Sequence, residues 1–122
     1  MELKALPHEL TVCKVETLAD IDLDGDLFFI GKTDEELSLV CPTAAAPART
    51  LAREDGWRAL RIEGTLDFSL VGILARIANV LADAGISIFA VSTYNTDYVL
   101  VKASAFDRAT DALAAAGYHV VS

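Results

Sequence analysis

Trp57-Arg58-Ala59-Leu60-Arg61-Ile62-Glu63-Gly64 begins the most legible part of the chain. Leu60 and Ile62 fall on one face of an extended segment and Arg61 and Glu63 on the other, the period-two pattern of a half-buried strand. A loop, Thr65-Leu66-Asp67-Phe68-Ser69, follows. From Leu70 to Ala84 the period becomes helical: Leu70, Ile73, Leu74, Ile77, Ala78, Leu81 and Ala84 form an apolar stripe, opposite Arg76, Asn79 and Asp83. Asp67 or Ser69 is placed to cap this helix, and Gly85 to end it. Ile86 to Ser92 is rich in strand formers, Thr93 to Asp97 is a short connection, and Tyr98 to Lys102 is the returning strand. Ser104 and Asp107 form an acidic variant of the capping box before a second stripe of Phe106, Ala109, Leu113 and Ala116. Gly117 closes that helix, and Tyr118 to Val121 is a last strand.

The order is β-α-β-β-α-β. The stretches LADAGISI and LAAAGYHV repeat one helix-Gly-strand junction. Together these specify an α+β, ferredoxin-like unit with two helices on one face of an antiparallel sheet. Before it, Leu10 to Val15, Leu27 to Lys32 and Leu37 to Cys41 read as strands, with Thr33-Asp34-Glu35-Glu36 as a hairpin turn. Thr17 to Ile21 reads as a helical turn, Ala44 to Ala48 as loop, and Arg49 to Glu54 as a short helix. This is a reduced β-(α)-β-β-α version of the same unit. Its fourth strand is either missing or shared with Trp57 to Gly64.

The chain has 122 residues, 53% of them hydrophobic, enough to bury a core. Its formal net charge is -8, with 18 acidic side chains against 10 basic ones. That balance argues against binding nucleic-acid phosphates and against an anionic membrane surface. No stretch reads as a signal peptide or a membrane span. Cys13 and Cys41 lie in expected strands and read as reduced, buried thiols of a cytoplasmic protein.

At Leu66 to Leu74, in the second strand and at Ser92 to Tyr98, the chain resembles the short tandem ACT-domain proteins, related to the ACT modules of the CASTOR-type arginine sensors. LPHELTVCKV, FFIGKT and ELSLVCP are similar to a first, divergent module, and WRALRIEG onward to a second. The resemblance implies a reduced ACT-like unit over 1–56 and an ACT domain over 57–122. It also implies a regulatory protein, not an enzyme, whose ligand is a small molecule, an amino acid above all. Asp67, Phe68, Ser69, Leu70, Val71 and Gly72 match the ligand-facing loop and helix start. Thr93, Tyr94, Asn95, Thr96 and Asp97 match the facing segment, with Asp97 on the acidic position. The sensors have four modules, so this chain would need a homodimer to rebuild a comparable interface.

The chemistry fits those residues. A helix start offers free backbone N–H groups and the positive end of the dipole to a carboxylate. Gly72 leaves room for close approach. Asp67 and Asp97 suit an ammonium group. Each has a plainer role too: Asp67 as a helix cap, Asn95 and Asp97 as turn formers, and Gly72 as a packing residue. No cofactor is implied, because neither a P-loop nor a dinucleotide fingerprint is present. Asp20-Ile21-Asp22-Leu23-Asp24-Gly25 copies the opening of a calcium loop. Its twelfth position is Gly31, where a bidentate Glu is required, so it reads as a solvated acidic turn. The remaining rivals are a protein-interaction subunit that uses no small ligand and a small enzyme on a ferredoxin-like scaffold.

Overall fold

The computed structural model describes residues 1–64 and 71–122. Among them are the strands β1 (Glu2–Ala5), β2 (Leu10–Lys14), β3 (Phe29–Lys32), β4 (Leu37–Pro42), β5 (Ala52–Ile62), β6 (Phe89–Ser92), β7 (Asp97–Lys102) and β8 (His119–Val121). The helices are α1 (Ile73–Asp83) and α2 (Phe106–Ala115), and 3-10 turns form at Leu18–Asp20, Thr43–Ala45 and Ala103–Ala105. The chain divides into two compact units, His8–Trp57 and Met1–Pro7 with Arg58–Ser122. No helix among the described residues is long and apolar enough to cross a membrane.

In the C-terminal unit the strand order is β6-β7-β5-β1-β8. The ferredoxin-like pattern is therefore present with one addition. β1 is inserted between the first and last strands, antiparallel to β5 with Leu3 opposite Ile62, and parallel to β8 with Leu3 opposite Val120. The first seven residues thus belong with this unit and not with the N-terminal one. Arg58 fixes the exit from β1: its Nη2 donates to the Leu6 carbonyl at 3.0 Å while its guanidinium lies 4.2 Å from the Phe106 ring centroid. The helices cover one face of the sheet. Leu60 and Ile62, Val99 and Val101, Ile77 and Leu81, and Phe106, Ala109 and Leu113 make the core. Burying each large aliphatic side chain contributes about 1.5–3 kcal/mol.

The repeated helix-Gly-strand junction is built twice in the same way. Gly85 N–H donates to Ala82 O and Ile86 N–H to Leu81 O; Gly117 N–H donates to Ala114 O and Tyr118 N–H to Leu113 O. Both glycines have positive φ, and both pairs of bonds make the Schellman ending that the sequence pattern calls for.

Other details differ from the sequence reading. α1 begins at Ile73, not Leu70, because Gly72 takes φ 79° and ψ 2° as its N-cap, a conformation that interrupts a right-handed helix. The Ser104–Asp107 capping box does not form. Ser104 is spent in the 3-10 turn, the N-cap is Ala105, and no side chain caps the helix. β6 begins at Phe89, since Ile86 is drawn into the core by the end of α1.

The N-terminal unit has the order β3-β4-β2-β5. This is the ferredoxin-like strand order with 3-10 turns in place of helices. Its fourth strand is the start of β5. Ala52, Arg53 and Glu54 pair with Lys14, Cys13 and Val12, so the expected short helix over 49–54 is replaced by a ladder. Cross-strand pairing outweighs the helical preference of Ala, Arg and Glu. Asp55 and Gly56 together oppose Thr11, a bulge. The buried Thr11 hydroxyl donates to Asp55 Oδ1 at 2.7 Å and lies 2.9 Å from Thr43 Oγ1. Cys13, Val15, Ile21, Leu37, Leu39 and Cys41 form the core of this unit.

The hairpins of the two units coincide in length and register. Phe29 and Phe89, Leu37 and Asp97, and Thr43 and Ala103 open corresponding elements, each pair 60 residues apart. Phe29 opposes Val40 as Phe89 opposes Leu100. Thr33 N–H donates to Glu36 O at 2.9 Å, and Thr93 N–H to Thr96 O at 2.9 Å.

Candidate functional site

In the C-terminal unit a cavity of about 310 Å³ opens where the end of β5 meets the β6–β7 turn. Arg61, Glu63 and Gly64 line one side, and Thr93, Asn95 and Thr96 the other, with Tyr98 and Ile62 completing it. The alternation of β5 places its parts. Leu60 and Ile62 point into the core, so Arg61 and Glu63, two residues apart, share the opposite face. Arg61 Nε donates to Glu63 Oε2 at 3.1 Å and Nη2 to Oε1 at 3.4 Å. That hydrogen-bonded carboxylate, with a further bond to Tyr98, raises the Arg61 pKa above its ordinary value and keeps it a fixed cation. The pair is partly open to solvent, at 33% and 27% side-chain exposure.

The turn is tied to the strand. Thr96 is buried, and its hydroxyl donates to the Ile62 carbonyl at 2.7 Å. Thr93 Oγ1 donates to Thr96 O at 3.1 Å, closing the turn from within. Ser92 Oγ donates to Asp97 Oδ1 at 2.6 Å, so that carboxylate is engaged along the hairpin.

Of the residues expected to hold ligand, Thr93, Asn95 and Thr96 come together in this cavity. Tyr94 is 79% exposed, and neither it nor Asp97 lines the cavity. Val71 is exposed and Gly72 forms the N-cap of α1; neither is among the lining residues. Among the described residues a Cβ at Gly72 would meet Arg76, at 3.7 Å, an ordinary contact, while its φ of 79° favours glycine. Asp67, Phe68, Ser69 and Leu70 lie outside the described residues. The pair Arg61 and Glu63 was read only as the polar face of a strand. Its signal was a basic and an acidic residue in alternation beside the Gly that ends the strand.

The acidic stretch 20–25 is structural where it is described. Ile21 enters the N-terminal core, and Asp22 Oδ1 accepts the Asp24 N–H at 3.0 Å in an Asx turn. Among the described residues no three His, Cys, Asp or Glu side chains are grouped to hold a metal. Burial pushes the Cys41 thiol up to about 11, and the neighbouring Cys13, itself raised by burial, adds to it. Both thiols are therefore protonated and inert near neutrality.

The sequence pattern of the ACT domain matches residues 52–115. The chain belongs to the ACT domain family. A protein of Agobacterium tumefaciens is 30% identical over 98% of this chain and 91% of its own, with a TM-score of 0.86. A Vibrio cholerae protein of unknown function, described as a possible transport protein, is 23% identical over 91% of this chain and 85% of its own, with a TM-score of 0.72. The regulatory subunit of aspartate kinase from Thermus thermophilus, in its ligand-free form, shares 11% identity over 94% of this chain and 96% of its own, with a TM-score of 0.62. At their identities the last two show a common ACT fold alone. Comparison with curated proteins finds no match.

Proposed function

We propose that this ACT protein is a non-enzymatic regulatory module that binds an amino acid in the cavity at the end of β5, and that it works as a homodimer. The observation that carries the reading is the placing of both charge signs beside polar turn residues in one cavity of about 310 Å³. Arg61 offers a planar fork to the α-carboxylate. Glu63 offers an acceptor to the α-ammonium, and Asn95 and Thr93 supply polar contacts to the rest. A partly exposed ion pair is worth only about 0–1 kcal/mol, so exchanging Arg61–Glu63 for ligand contacts is cheap.

ACT domains are regulatory, and the Thermus regulatory subunit with this fold was determined in a form named ligand-free. The resemblance to the CASTOR-type sensors adds Asp97, Tyr94 and the 67–72 segment as further contacts, completed across a dimer. Among the described strands of the C-terminal unit β6 pairs with β7 and no other, which makes it the edge proposed to meet a second chain.

Calorimetry and thermal shift against the twenty amino acids test the reading. A ligand at a hundred times its Kd should raise stability by about 2.7 kcal/mol. Arg61→Met and Glu63→Gln should each weaken it by about tenfold or more. If no amino acid binds the wild type, the reading is lost and the interaction-subunit alternative takes its place. Light scattering that finds only 13.0 kDa particles at micromolar concentration would remove the dimer.

A further inference from the structure

A second cavity, of about 520 Å³, lies in the N-terminal unit where the end of β2 meets the β3–β4 turn. It stands at the corresponding place in its own unit. The hairpins correspond at a spacing of 60 residues and carry the same Thr-closed turn, Thr33 to Glu36 and Thr93 to Thr96. The first strands correspond as well. Cys13 and Val15 are buried in one core as Leu60 and Ile62 are in the other. Between and after them stand Lys14 and Glu16, matching Arg61 and Glu63. Val15 N–H donates to Leu37 O at 3.0 Å, joining that strand end to the hairpin as Thr96 joins Ile62. Each unit therefore presents a basic, an apolar and an acidic residue in that order at a strand end, beside a four-residue turn and an open cavity.

We infer that the N-terminal unit holds a second amino-acid site, built on Lys14 and Glu16, and that it takes an amino acid with an apolar side chain. The inference rests on the reading of the first cavity as an amino-acid site. Lys14 and Glu16 are exposed on one face of the strand end, where alternation sets them side by side. Lys14 meets the carboxylate and Glu16 the ammonium. Lys32 is a second cation in the lining, and Asp34, Glu35 and Glu36 of the turn are further carboxylates that favour the ammonium end of a zwitterion. What distinguishes this cavity is its apolar wall. Leu18 and Leu51 line it and are 47% and 59% exposed. Leu51 is held there by its N–H, which donates to Lys14 O at 2.7 Å. Among the described residues, the C-terminal cavity has Ile62 as its one aliphatic lining residue, and Ile62 is buried. The two sites thus share recognition of the zwitterion and differ in the side chain they select.

Among the described residues Glu16 has one competing ion pair, with Arg49 Nη2 at 3.9 Å, between side chains that are 81% and 67% exposed. At that distance and exposure it does not hold the carboxylate away from a ligand.

Amide-resolved NMR on the whole chain, titrated with L-leucine as the probe, tests the assignment. The expected result is a saturable shift of the amides of Val15 to Leu18 and Thr33 to Glu36. The Lys14→Met, Glu16→Gln double variant should weaken that response by about tenfold or more while keeping the wild-type spectrum elsewhere. Both side chains are exposed, so the fold does not depend on them. L-Glutamine, followed at the amides of Thr93 to Asp97, reports the first cavity separately. Shifts confined to 93–97 with either probe would overturn the second site and leave the amino-acid reading standing. Shifts confined to 15–18 and 33–36 would support it and move the function to the N-terminal unit. Unchanged leucine binding by the double variant overturns it, as does a flat leucine titration.

Discussion

Replacing Thr96 by Val tests how the C-terminal cavity is held together. The side chain is 7% exposed, and its hydroxyl donates to Ile62 O at 2.7 Å across a gap of 34 positions in sequence. Valine fills the same volume without the donor. The lost bond is worth about 0.5–1.5 kcal/mol, and a carbonyl left without it costs about 1–3 kcal/mol. The added apolar group returns up to about 0.8 kcal/mol. The net expectation is a loss of about 1–2 kcal/mol, or roughly 4–8 °C in Tm for a chain of this size. Thr96→Ser is the control, since it keeps the hydroxyl and gives up one methyl, about 0.8 kcal/mol at most. Urea denaturation of both variants supplies the comparison, and amide exchange at Thr93 reports whether the turn has loosened. The turn donors Thr93 and Asn95 stand on this tie, so any ligand of the cavity should bind the Val variant more weakly than the Ser variant. The reasoning fails if Thr96→Val is as stable as the wild type, or more stable than Thr96→Ser.

Gly72→Ala should destabilise by about 1–2 kcal/mol through the positive φ; among the described residues its Cβ would meet Arg76 at an ordinary 3.7 Å. Gly31→Ala, at an ordinary strand φ with Ser38 Cβ 4.0 Å away, should be neutral or stabilising; denaturant midpoints compare the two. Thr11→Val removes the buried donor to Asp55 and should cost about 1–3 kcal/mol, read from the same unfolding curves. Cys41 is protonated more firmly in the folded chain than in the unfolded one. Stability is thus full below pH 9.0 and falls as pH rises toward about 11, by a few kcal/mol at most. Urea unfolding across that window should show the slope in the wild type and a flatter line in Cys41→Val.

Local patterns carried the sequence reading furthest. Leu81 and Leu113, each followed four residues later by Gly, announced two helix ends whose bonds are the same in both places. Thr33 to Glu36 was recognisable as a turn between apolar strands. Elements whose evidence is not local stayed hidden. β1 is four residues long with no turn signal of its own, and only pairing with Ile62 and Val120 makes Leu3 a core residue. Arg49 to Glu54 read as a short helix separate from the strand at Trp57, whereas a bulge lets β5 run through from Ala52. Gly72 fell inside the stretch from Leu70 read as helix on periodicity, and its φ excludes it from the helix. Arg61 and Glu63 matched any solvated strand face. What singles them out is the turn brought against them from 30 residues further on, which no spacing along the chain displays.

The two units also bear on where an ACT ligand site can reside in this chain. A helix start attracts a carboxylate through its unpaired amides and its dipole. The N-terminal unit has only three-residue 3-10 turns where its partner has helices, yet it keeps strand order, hairpin length, turn bond and an open cavity. Helix dipoles are therefore not what the two cavities have in common. They share a strand end with a cation and an anion in alternation, closed by a turn. This geometry survives the loss of a helix because strand alternation fixes it: the core residues Val15 and Ile62 hold the backbone, and their charged neighbours must face the other way. On the proposed reading, the carboxylate of a bound amino acid would be recognised chiefly by Lys14 or Arg61. Affinity should then depend on ionic strength, as a side-chain ion pair at a partly exposed site does. Binding that is indifferent to salt would return the recognition to backbone amides and to the segment before α1.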